Sequence, residues 1–384
     1  MKFNIICALA TVHLFLMSCV GETISPGVYY KHIIQTGTTA QSMHILVVDP
    51  NHANIVLQPA SDEFGILKPV LQICKDTHAL AGINAGYFGW KKKNIFFSAV
   101  ESVAVDLGIT RRDAYPVFAL KIDENWHSLS NVFTGVISWN RNDQQPLFDA
   151  VKTTLSLQIN NQYYQVNDLN KSDSCENVLF SPAYKDALLT TKKYVYIVID
   201  QNRVKDIVAD TKKYLAMPKN GFVYAIKKDT FVADKKVKIG DPVSVSVICE
   251  SKFGSDASEI CTSDFLLGSM PFLVNNGEIV PYVYDYTGHF YKNRHPRTAV
   301  GILKNGFWVF FVVDGRQKSS LGFTILELAL FMKQLGCIHA MNLDGGGSST
   351  MVIHDKVVNS PSDTFFGVMQ KERLVANALL IFPK

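Results

Sequence analysis

The sequence has little excess charge of either sign, few cysteines and only one apolar run of membrane-like character. Its 384 residues contain 38 Lys and Arg against 34 Asp and Glu, a formal net charge of +4. No dense stripe of basic residues with interleaved aromatic residues occurs, which is the pattern expected of a nucleic-acid-binding protein. We therefore expect no nucleic acid partner. The 47% hydrophobic and 19% charged residues are typical of a globular protein.

Cysteine is scarce, and its spacing excludes the common zinc sites. The seven cysteines form no CxxC pair and no His/Cys cluster with zinc-ligand spacing. Two of them lie near the N-terminus, and an odd number in the rest of the chain leaves at least one thiol unpaired. Cys249 and Cys261 flank a loop-like segment between strands and are the favoured disulfide pair. The five later cysteines are Cys74, Cys175, Cys249, Cys261 and Cys337.

The one long apolar run lies directly after Met1 and Lys2 and is too short for an ordinary membrane span. It predicts a secretory signal peptide over residues 1–19. Leu16-Met17-Ser18-Cys19 also resembles a bacterial lipobox, in which Cys19 would carry the lipid; plain cleavage nearby is the alternative. We therefore expect an extracytoplasmic protein that is secreted, periplasmic or lipid-anchored at the cell surface. A lipid at Cys19 would be its only attachment to a membrane.

Most of the remaining chain is predicted to form short strands between turn residues. Residues 43–49, 54–60, 194–200, 241–248, 307–314 and 375–382 are β-branched and aliphatic runs. Asn276-Gly277 and Asn305-Gly306 predict tight hairpins, because Asn-Gly accepts the positive φ values of such turns. The fold class predicted is a mixed α+β domain over residues 20–384, rich in strands, with residues 140–220 as an elaboration.

Two helices are predicted, at residues 69–79 and 324–335. Thr324 and Glu327 form a T-x-x-E capping box, which explains Glu327 more simply than a catalytic role does. Strand 307–314, this helix and strand 337–344 would form a β-α-β unit with neighbouring parallel strands in a mixed sheet. Their two following loops would then leave the same edge of the sheet, where ligands of α/β sheets collect.

Four polar clusters stand at ends of predicted elements. They are Asn84 to Phe88, Arg294 to Thr298, Asp314 to Arg316, and Asn342 to Thr350. Three consecutive glycines, Gly345, Gly346 and Gly347, suit a close backbone approach or positive φ. Such a turn can present successive N–H groups to an anion. Because Arg guanidinium groups match phosphate oxygens, Arg297 and Arg316 would complete a phosphate site beside Asp314 and Asp344.

At these clusters the sequence resembles the phosphodiester glycosidase family, which includes the animal N-acetylglucosamine-1-phosphodiester α-N-acetylglucosaminidase. The motifs NAGYF, PRTAVG, VDGRQ and NLDGGGSST occur in the family's order, and weaker similarity spans nearly the whole mature chain. Ser269 and Met270 depart from a Gly-Gly-x-Pro-like turn of the family. The resemblance implies an exported hydrolase that cleaves a sugar-1-phosphodiester, of the N-acetylglucosamine-1-phosphate type, at the anomeric carbon. A phosphorylated glycan or glycoconjugate is the expected substrate, and no cofactor is expected.

The chemistry requires charge stabilisation on phosphate and one carboxylate near the anomeric carbon, because phosphate is a good leaving group. Asp344 or Asp314 is the candidate base or nucleophile, and Arg297 and Arg316 are the candidate phosphate ligands. Two alternatives remain open, a non-catalytic phosphoglycan-binding protein and a metal-assisted phosphodiesterase with Asp314 and Asp344 as Ca²⁺ or Mg²⁺ ligands. The candidate substrate-binding residues are Asn84, Tyr87, His295, Thr298, Asn342, Gly345, Gly346, Gly347, Ser348 and Ser349.

Overall fold

A computed structural model describes most of the chain. The described residues are 21–61, 66–87, 101–103, 116–122, 125–166, 168–169, 177–180, 187–209, 212–218, 221–234, 236–256, 259–260, 263–284, 289–365 and 368–384. The predicted signal peptide with Cys19, and also Cys175 and Cys261, lie outside these residues, so the favoured disulfide stays a prediction. Within the described part of the chain, no helix is long and apolar enough to cross a membrane.

The described residues form 29 strands, numbered in chain order. The first fifteen are β1 (Glu22–Ser25), β2 (Val28–Gln35), β3 (Gln41–Val48), β4 (Ala53–Pro59), β5 (Ala81–Asn84), β6 (Glu101–Val103), β7 (Pro116–Ile122), β8 (Asn125–Trp139), β9 (Leu147–Ile159), β10 (Gln162–Val166), β11 (Asp168–Leu169), β12 (Val178–Phe180), β13 (Ala187–Leu189), β14 (Tyr194–Asp200) and β15 (Arg203–Val208). The others are β16 (Tyr214–Ala216), β17 (Gly221–Lys227), β18 (Val243–Ser251), β19 (Phe265–Ser269), β20 (Phe272–Asn275), β21 (Glu278–Ile279), β22 (Arg297–Leu303), β23 (Trp308–Val313), β24 (Cys337–Asn342), β25 (Met351–Ile353), β26 (Lys356–Val357), β27 (Asp363–Phe365), β28 (Val368–Lys371) and β29 (Asn377–Pro383).

Helices are few, as the sequence predicts. Those whose bounds lie within the described residues are α1 (Val70–Thr77), α2 (Lys228–Asp234), α3 (His289–Lys292) and α4 (Ile325–Gln334), with single 3₁₀ turns at Pro281–Tyr284 and Gly346–Ser348. The capping box of α4 is confirmed, because the Glu327 amide donates to Thr324 Oγ1 at 3.1 Å and the Thr324 amide donates to Glu327 Oε2 at 2.9 Å. Arg294 also donates two hydrogen bonds to the Glu327 carboxylate. Glu327 therefore has a complete structural role.

The main sheet has eight strands in the order β1-β2-β3-β23-β22-β24-β20-β21, and each neighbouring pair is antiparallel. Both predicted hairpins are confirmed, because Asn305-Gly306 joins β22 to β23 and Asn276-Gly277 joins β20 to β21. The φ angles of Asn276 and Gly277 are 50° and 78°. Both values lie in the left-handed region that such a two-residue turn requires.

The predicted pairing of two parallel neighbours around α4 is wrong. β22 lies between β23 and β24 and is antiparallel to both, because the Asn-Gly hairpin already places β22 beside β23. β23 and β24 therefore run in the same direction without touching, and their carboxyl ends still lie at one edge of the sheet. The amino end of β22 lies at that edge too. The only parallel pair among the described strands is the short β11–β12.

A second sheet, with strand order β26-β25-β5-β29-β4, packs on the main sheet through one large apolar cluster. Side chains alternate between its two faces, as in any strand. On β29, Leu379 and Ile381 join the cluster shared with the main sheet, whereas Leu380 packs with Ile73 of α1. On the main sheet, Phe311 packs against Phe331 of α4. The layers are thus α4, the main sheet, the second sheet and α1.

The part of the chain from β6 to β19 adds further strands. β10-β9-β8-β7-β6 form one sheet, with β18 on β9 and β19 on β8, while β11-β12-β17-β14-β15 form another. One apolar cluster joins the second of these sheets to β9, β10 and β18, and another joins it to β13 and β16. This region overlaps the elaboration predicted at residues 140–220. Its boundaries as a unit stay a prediction.

Candidate functional site

The residues after β23 and β24 and at the start of β22 lie at one edge of the main sheet, where β5 of the second sheet also ends. The register pairs Arg297 with Val313 and Ala299 with Asn342, which brings Arg297 and the segments beginning at Asp314 and Asp344 to the same edge. Asn84 is tied to this edge as well, since its side-chain amide donates to the Asp344 carbonyl oxygen at 2.6 Å. All four predicted polar clusters therefore reach one region.

The glycine triplet packs against charged side chains and backbone. A Cβ on Gly346 would lie 3.0 Å from Arg316 Nη2, and one on Gly347 would lie 2.6 Å from Asp363 and 2.7 Å from Arg373 Nη2. Gly346 has a φ of 63°, and its amide donates to the Pro296 carbonyl oxygen at 2.9 Å. The amides of Ser348 and Ser349 donate within the turn. The triplet thus brings cationic side chains close, while four N–H groups of the turn, those of Gly345, Gly346, Ser348 and Ser349, already donate within the protein.

Asp344 is the carboxylic acid at the start of this turn. Burial raises its pKa to about 6, although a hydrogen bond from the Ser348 hydroxyl, the charge of Arg373 and the Gly345 amide act in the opposite direction. A group with a pKa near neutrality can hold or release a proton at working pH, which is the property of a general acid or base.

Arg373 and Asp363 belong to the site and were missed by sequence reasoning. Arg373 donates to both oxygens of Asp363, at 2.9 Å from Nε and 2.8 Å from Nη2, and its Nη1 lies 3.5 Å from Ser348 Oγ. Neither residue stands beside glycines or in a recognisable motif. Only the path of the chain from β27 to β29 brings them to Asp344, so no local sequence pattern indicates them.

Arg316 lies at the exposed side of the site and is oriented by His295. Arg316 has a φ of 60°, and its Nε and Nη2 each lie 3.3 Å from His295 Nδ1. Because a guanidinium group only donates, Nδ1 must accept, and the ring proton of neutral His295 is on Nε2. Burial, with the charges of Arg297 and Arg316, lowers the pKa of His295 to about 4. His295 is therefore neutral at physiological pH and can donate from Nε2.

Arg297 is fully buried and is held mainly by carbonyl groups. Its Nε donates to Phe323 O at 2.9 Å, and its Nη2 donates to Phe290 O at 2.5 Å and to Asn293 O at 3.1 Å. Its Nη1 has no hydrogen-bond partner among the described residues. Burial lowers the pKa of Arg297 to about 10, so the side chain remains a cation at neutral pH. One donor of a buried cation is thus left for a ligand.

The predicted amide and hydroxyl residues mainly brace the turn. Asn84 Oδ1 accepts from Thr298 Oγ1 at 2.8 Å and from the Thr350 amide at 3.1 Å. Asn342 Nδ2 donates to Tyr87 Oη at 2.6 Å and to Met270 O at 2.8 Å. All of these side chains are buried. The Ser349 hydroxyl is buried as well, with no partner among the described residues.

Asp314 makes contacts different from those of Asp344. One of its oxygens accepts from the Ser360 amide at 2.8 Å and from Asn359 Nδ2 at 3.0 Å, and the other lies 3.5 Å from His44 Nε2. Burial would raise the pKa of Asp314, but the contacts with His44, Asn359 and Ser360 outweigh it and leave the pKa below its usual value. Only 4% of Asp314 is exposed. It is an ionised, structurally engaged carboxylate.

His44 and Asn359, which sequence reasoning also missed, extend the contacts of Asp314. Asn359 donates to Ser349 O at 3.0 Å and accepts from the Met351 amide at 2.8 Å. On the other side, Tyr30 Oη lies 2.8 Å from His44 Nδ1. Asp314 is therefore linked through one residue to the end of the turn that begins at Asp344.

Within the described ranges, no group of three or more His, Cys, Asp or Glu side chains is arranged to hold a metal ion. Cys74 and Cys337 are both buried free thiols.

Comparisons with known proteins agree with the motif analysis. The model that represents the phosphodiester glycosidase family matches residues 193–382, which confirms the resemblance. A segment of 88 residues is 40% identical to the SPbeta prophage-derived uncharacterized protein YomE of Bacillus subtilis, covering 23% of this chain and 13% of that protein. A segment of 111 residues is 35% identical to the N-acetylglucosamine-1-phosphodiester alpha-N-acetylglucosaminidase of Mus musculus, covering 26% of this chain and 21% of that enzyme.

Structural similarity to a solved protein extends over more of the chain than the sequence similarity does. The crystal structure of a hypothetical protein from Synechocystis matches with a TM-score of 0.71 and 18% identity, over 94% of this chain and 63% of that one. This similarity shows the fold. The aligned segments span about a fifth or less of the curated relatives' own length.

Proposed function

From the match of residues 193–382 to the phosphodiester glycosidase family, we propose that this protein hydrolyses sugar-1-phosphodiesters at the anomeric carbon. The products are a free sugar and a phosphomonoester. The observation that carries the proposal is the carboxyl group of Asp344, whose pKa is raised to about 6 beside the cationic Arg373. Together, Asp344 can accept a proton and Arg373 supplies positive charge that can bind a phosphate.

Asp344 acts as the base in this proposal. In its ionised form it accepts a proton from the water that attacks the anomeric carbon. The bond between that carbon and the phosphate oxygen breaks, and its electron pair leaves with the phosphomonoester. No strong acid is required for this departure, because the second pKa of a phosphate monoester is about 6. A nucleophilic role for Asp344 would instead give a covalent sugar intermediate.

Arg316 and Arg373 hold the phosphate. Both guanidinium groups approach the glycine turn, and Arg316 donates hydrogen bonds to the neutral His295. Neutral His295 donates from Nε2 to a phosphate or sugar oxygen. Arg297 supplies its unpartnered Nη1 from the buried side.

Asp314 is a positioning residue in this proposal. Its hydrogen bonds fix Asn359 and Ser360, and Asn359 in turn holds Ser349 and Met351. Asp314→Asn should therefore lower kcat while keeping the pH dependence set by Asp344. Amide hydrogen exchange of residues 345–351 should also become faster. If turnover of the Asp314→Asn variant no longer changed with pH near the pKa of Asp344, Asp314 would instead be the base.

A panel of sugar-1-phosphodiesters with product analysis tests the reaction. Hydrolysis in ¹⁸O-labelled water should place the label in the sugar, because the anomeric C–O bond breaks. Label in phosphate, with release of sugar-1-phosphate, would show a phosphodiesterase, and activity abolished by EDTA would support metal assistance. Binding of the diesters without any turnover would favour a phosphoglycan-binding protein.

We also propose that the protein is exported, from the signal-like residues 1–19 and the LMSC motif. Expression in a bacterial host should give a membrane-associated product whose N-terminal residue is lipid-modified Cys19. Cys19→Ser should give a soluble or unprocessed product, since several acyl chains are needed for stable anchoring. A mature N-terminus beyond Cys19 in a wholly soluble parent protein would support plain cleavage.

A further inference from the structure

Four exposed lysines meet at one end of the small sheet β11-β12-β17-β14-β15. Lys192 and Lys193 form the tight turn before β14, in which the Tyr194 amide donates to Thr191 O. Lys212 and Lys213 precede β16, and the Thr190 amide donates to Lys213 O at 2.9 Å. This contact places the two lysine pairs side by side. We name Lys192, Lys193, Lys212 and Lys213 the lysine patch.

The surroundings of the lysine patch add positive charge and an exposed aromatic ring. Lys227 pairs in register with Tyr194, and the Lys228 amide donates to Lys193 O at 3.1 Å, so two more lysines begin at this end of the sheet. The exposed Asp229 follows them as an acidic neighbour. Leu189 and Tyr214 lie opposite each other on β13 and β16 and are 42% and 76% exposed.

The lysine patch lies directly before the exposed Tyr214, and its two turns are rich in lysine. Lysines on a solvated face are ordinarily interspersed with acids, which limits repulsion between like charges. Here the described residues of the two turns contribute four lysines and no acid, while Asp210 and Thr211, which precede Lys212, lie outside the described residues. Repulsion among these charges is relieved when a polyanion binds. A flexible ammonium group suits phosphates at varied spacing, because it acts as a point charge without a fixed geometry.

We propose that the lysine patch and Tyr214 bind a phosphate-bearing polyol or sugar polymer. The lysines contact successive phosphates, and the ring of Tyr214 provides an apolar surface for the carbon-rich side of a repeating unit. None of these residues is among those assigned to hydrolysis, and they belong to other strands and turns. The surface holds a long anionic chain whether or not the protein cleaves a bond of that chain.

A single exposed aromatic favours such a polymer over a nucleic acid. Proteins that bind single strands use several aromatic side chains on which successive bases stack, whereas the patch presents one ring. An anionic membrane surface would favour a broad positive face with apolar residues that insert, and the one apolar neighbour described beside Tyr214 is the half-exposed Leu189.

Direct binding to poly(glycerol phosphate) tests the proposal. The patch variant replaces all four lysines by Gln, and the matched control replaces the exposed Lys75, Lys252, Lys304 and Lys356 by Gln, which removes equal charge. Parent and control should bind alike, and the patch variant should bind at least about tenfold more weakly at low salt, with a shallower salt dependence. Tyr214→Ser should weaken binding less and leave the salt dependence unchanged.

Four results would overturn the proposal. They are no binding by the parent, equal binding by the patch and control variants, tighter binding of a single-stranded oligonucleotide of matched charge, and tighter binding of phosphatidylglycerol vesicles. Circular dichroism and unfolding temperature should agree for the two Gln variants. Because binding is measured without turnover, failure of the proposed hydrolysis would leave this result intact, and the reverse also holds.

Discussion

At the scale of single residues, burial of Asp344 supplies a group that titrates near neutral pH but lowers the stability of the folded protein when the group is ionised. Its folded pKa of about 6 lies above the ordinary value of a carboxyl group, so the folded protein binds this proton more tightly than the unfolded chain does. The contribution of Asp344 to the free energy of unfolding is therefore most favourable at low pH, where the carboxyl group is protonated, and it falls as the pH rises through 6. At higher pH the carboxylate is ionised, and the full cost of burying its charge lowers stability.

Asp344→Asn should consequently be more stable than the parent at neutral pH. We expect a gain in the free energy of unfolding of about 1–2 kcal/mol near pH 8 that disappears near pH 4, because a two-unit shift corresponds to at most about 2.7 kcal/mol. Turnover should fall by about 10²–10⁴-fold. Urea unfolding at both pH values and steady-state rates measure this. Lower stability at pH 8 would mean that the contacts with Ser348 and Arg373 outweigh the burial of charge.

Gly346 and Gly277 form a matched pair for testing the close approach in the glycine turn. Both have positive φ, 63° and 78°, but a Cβ on Gly346 would lie 3.0 Å from Arg316 Nη2 whereas one on Gly277 would meet nothing within 4 Å. Replacement by Ala should lower stability by about 1 kcal/mol at each site, from backbone strain. Only Gly346→Ala should raise KM, because it displaces Arg316. Equal KM values in the two variants would mean that Arg316 does not bind the phosphate.

Single residues also show the limits of prediction from sequence. Asp344, Arg316 and the glycines were found because a glycine triplet and Asp-Gly-Arg have few structural explanations. Arg373 and His44 were missed, since the one precedes an ordinary strand and the other lies within one. Their importance arises from contacts with residues far along the chain, Ser348 and Asp314, which no local pattern encodes.

At the scale of elements, features set by residues close in the sequence were predicted correctly, whereas the pairing of strands distant in the sequence was not. The capping box of α4 and both Asn-Gly hairpins depend on residues within a few positions of each other, and all three formed as expected. The relation between β23 and β24 depends on which strand lies between them. The hairpin signal at Asn305-Gly306 already placed β22 beside β23, and it outweighs the preference for a direct parallel crossover.

Glu327 tests whether the helix cap is independent of the chemistry. Glu327→Ala should lower the free energy of unfolding by about 1 kcal/mol, because it removes the capping box of α4 and the partner of Arg294. Glu327→Gln keeps a carbonyl oxygen for the Thr324 amide and should lose less. Both variants should keep the turnover of the parent, measured beside thermal unfolding. A folded, inactive Glu327→Ala protein would place the catalytic acid in α4 instead.

At the scale of the whole molecule, the four layers enclose two apolar clusters, and each cluster contains one buried thiol. Cys74 lies in α1 and packs beyond the second sheet, and Cys337 begins β24 in the main sheet. Burial raises the pKa of each thiol to about 12. Neither group can react as a thiolate while the surrounding layers stay closed.

Alkylation of these two thiols should therefore report whether the layers open together. The second sheet contributes Leu379 and Ile381 to the main core, so we expect α1 and its sheet to separate only when the whole molecule unfolds. Cys74 and Cys337 should then be modified at the same slow rate, and both rates should rise in parallel with denaturant, because one opening limits them. Mass spectrometry of peptides locates the modified residues. Faster modification of Cys74 alone would show that α1 opens as a separate unit, while the main sheet that carries Asp344 stays folded.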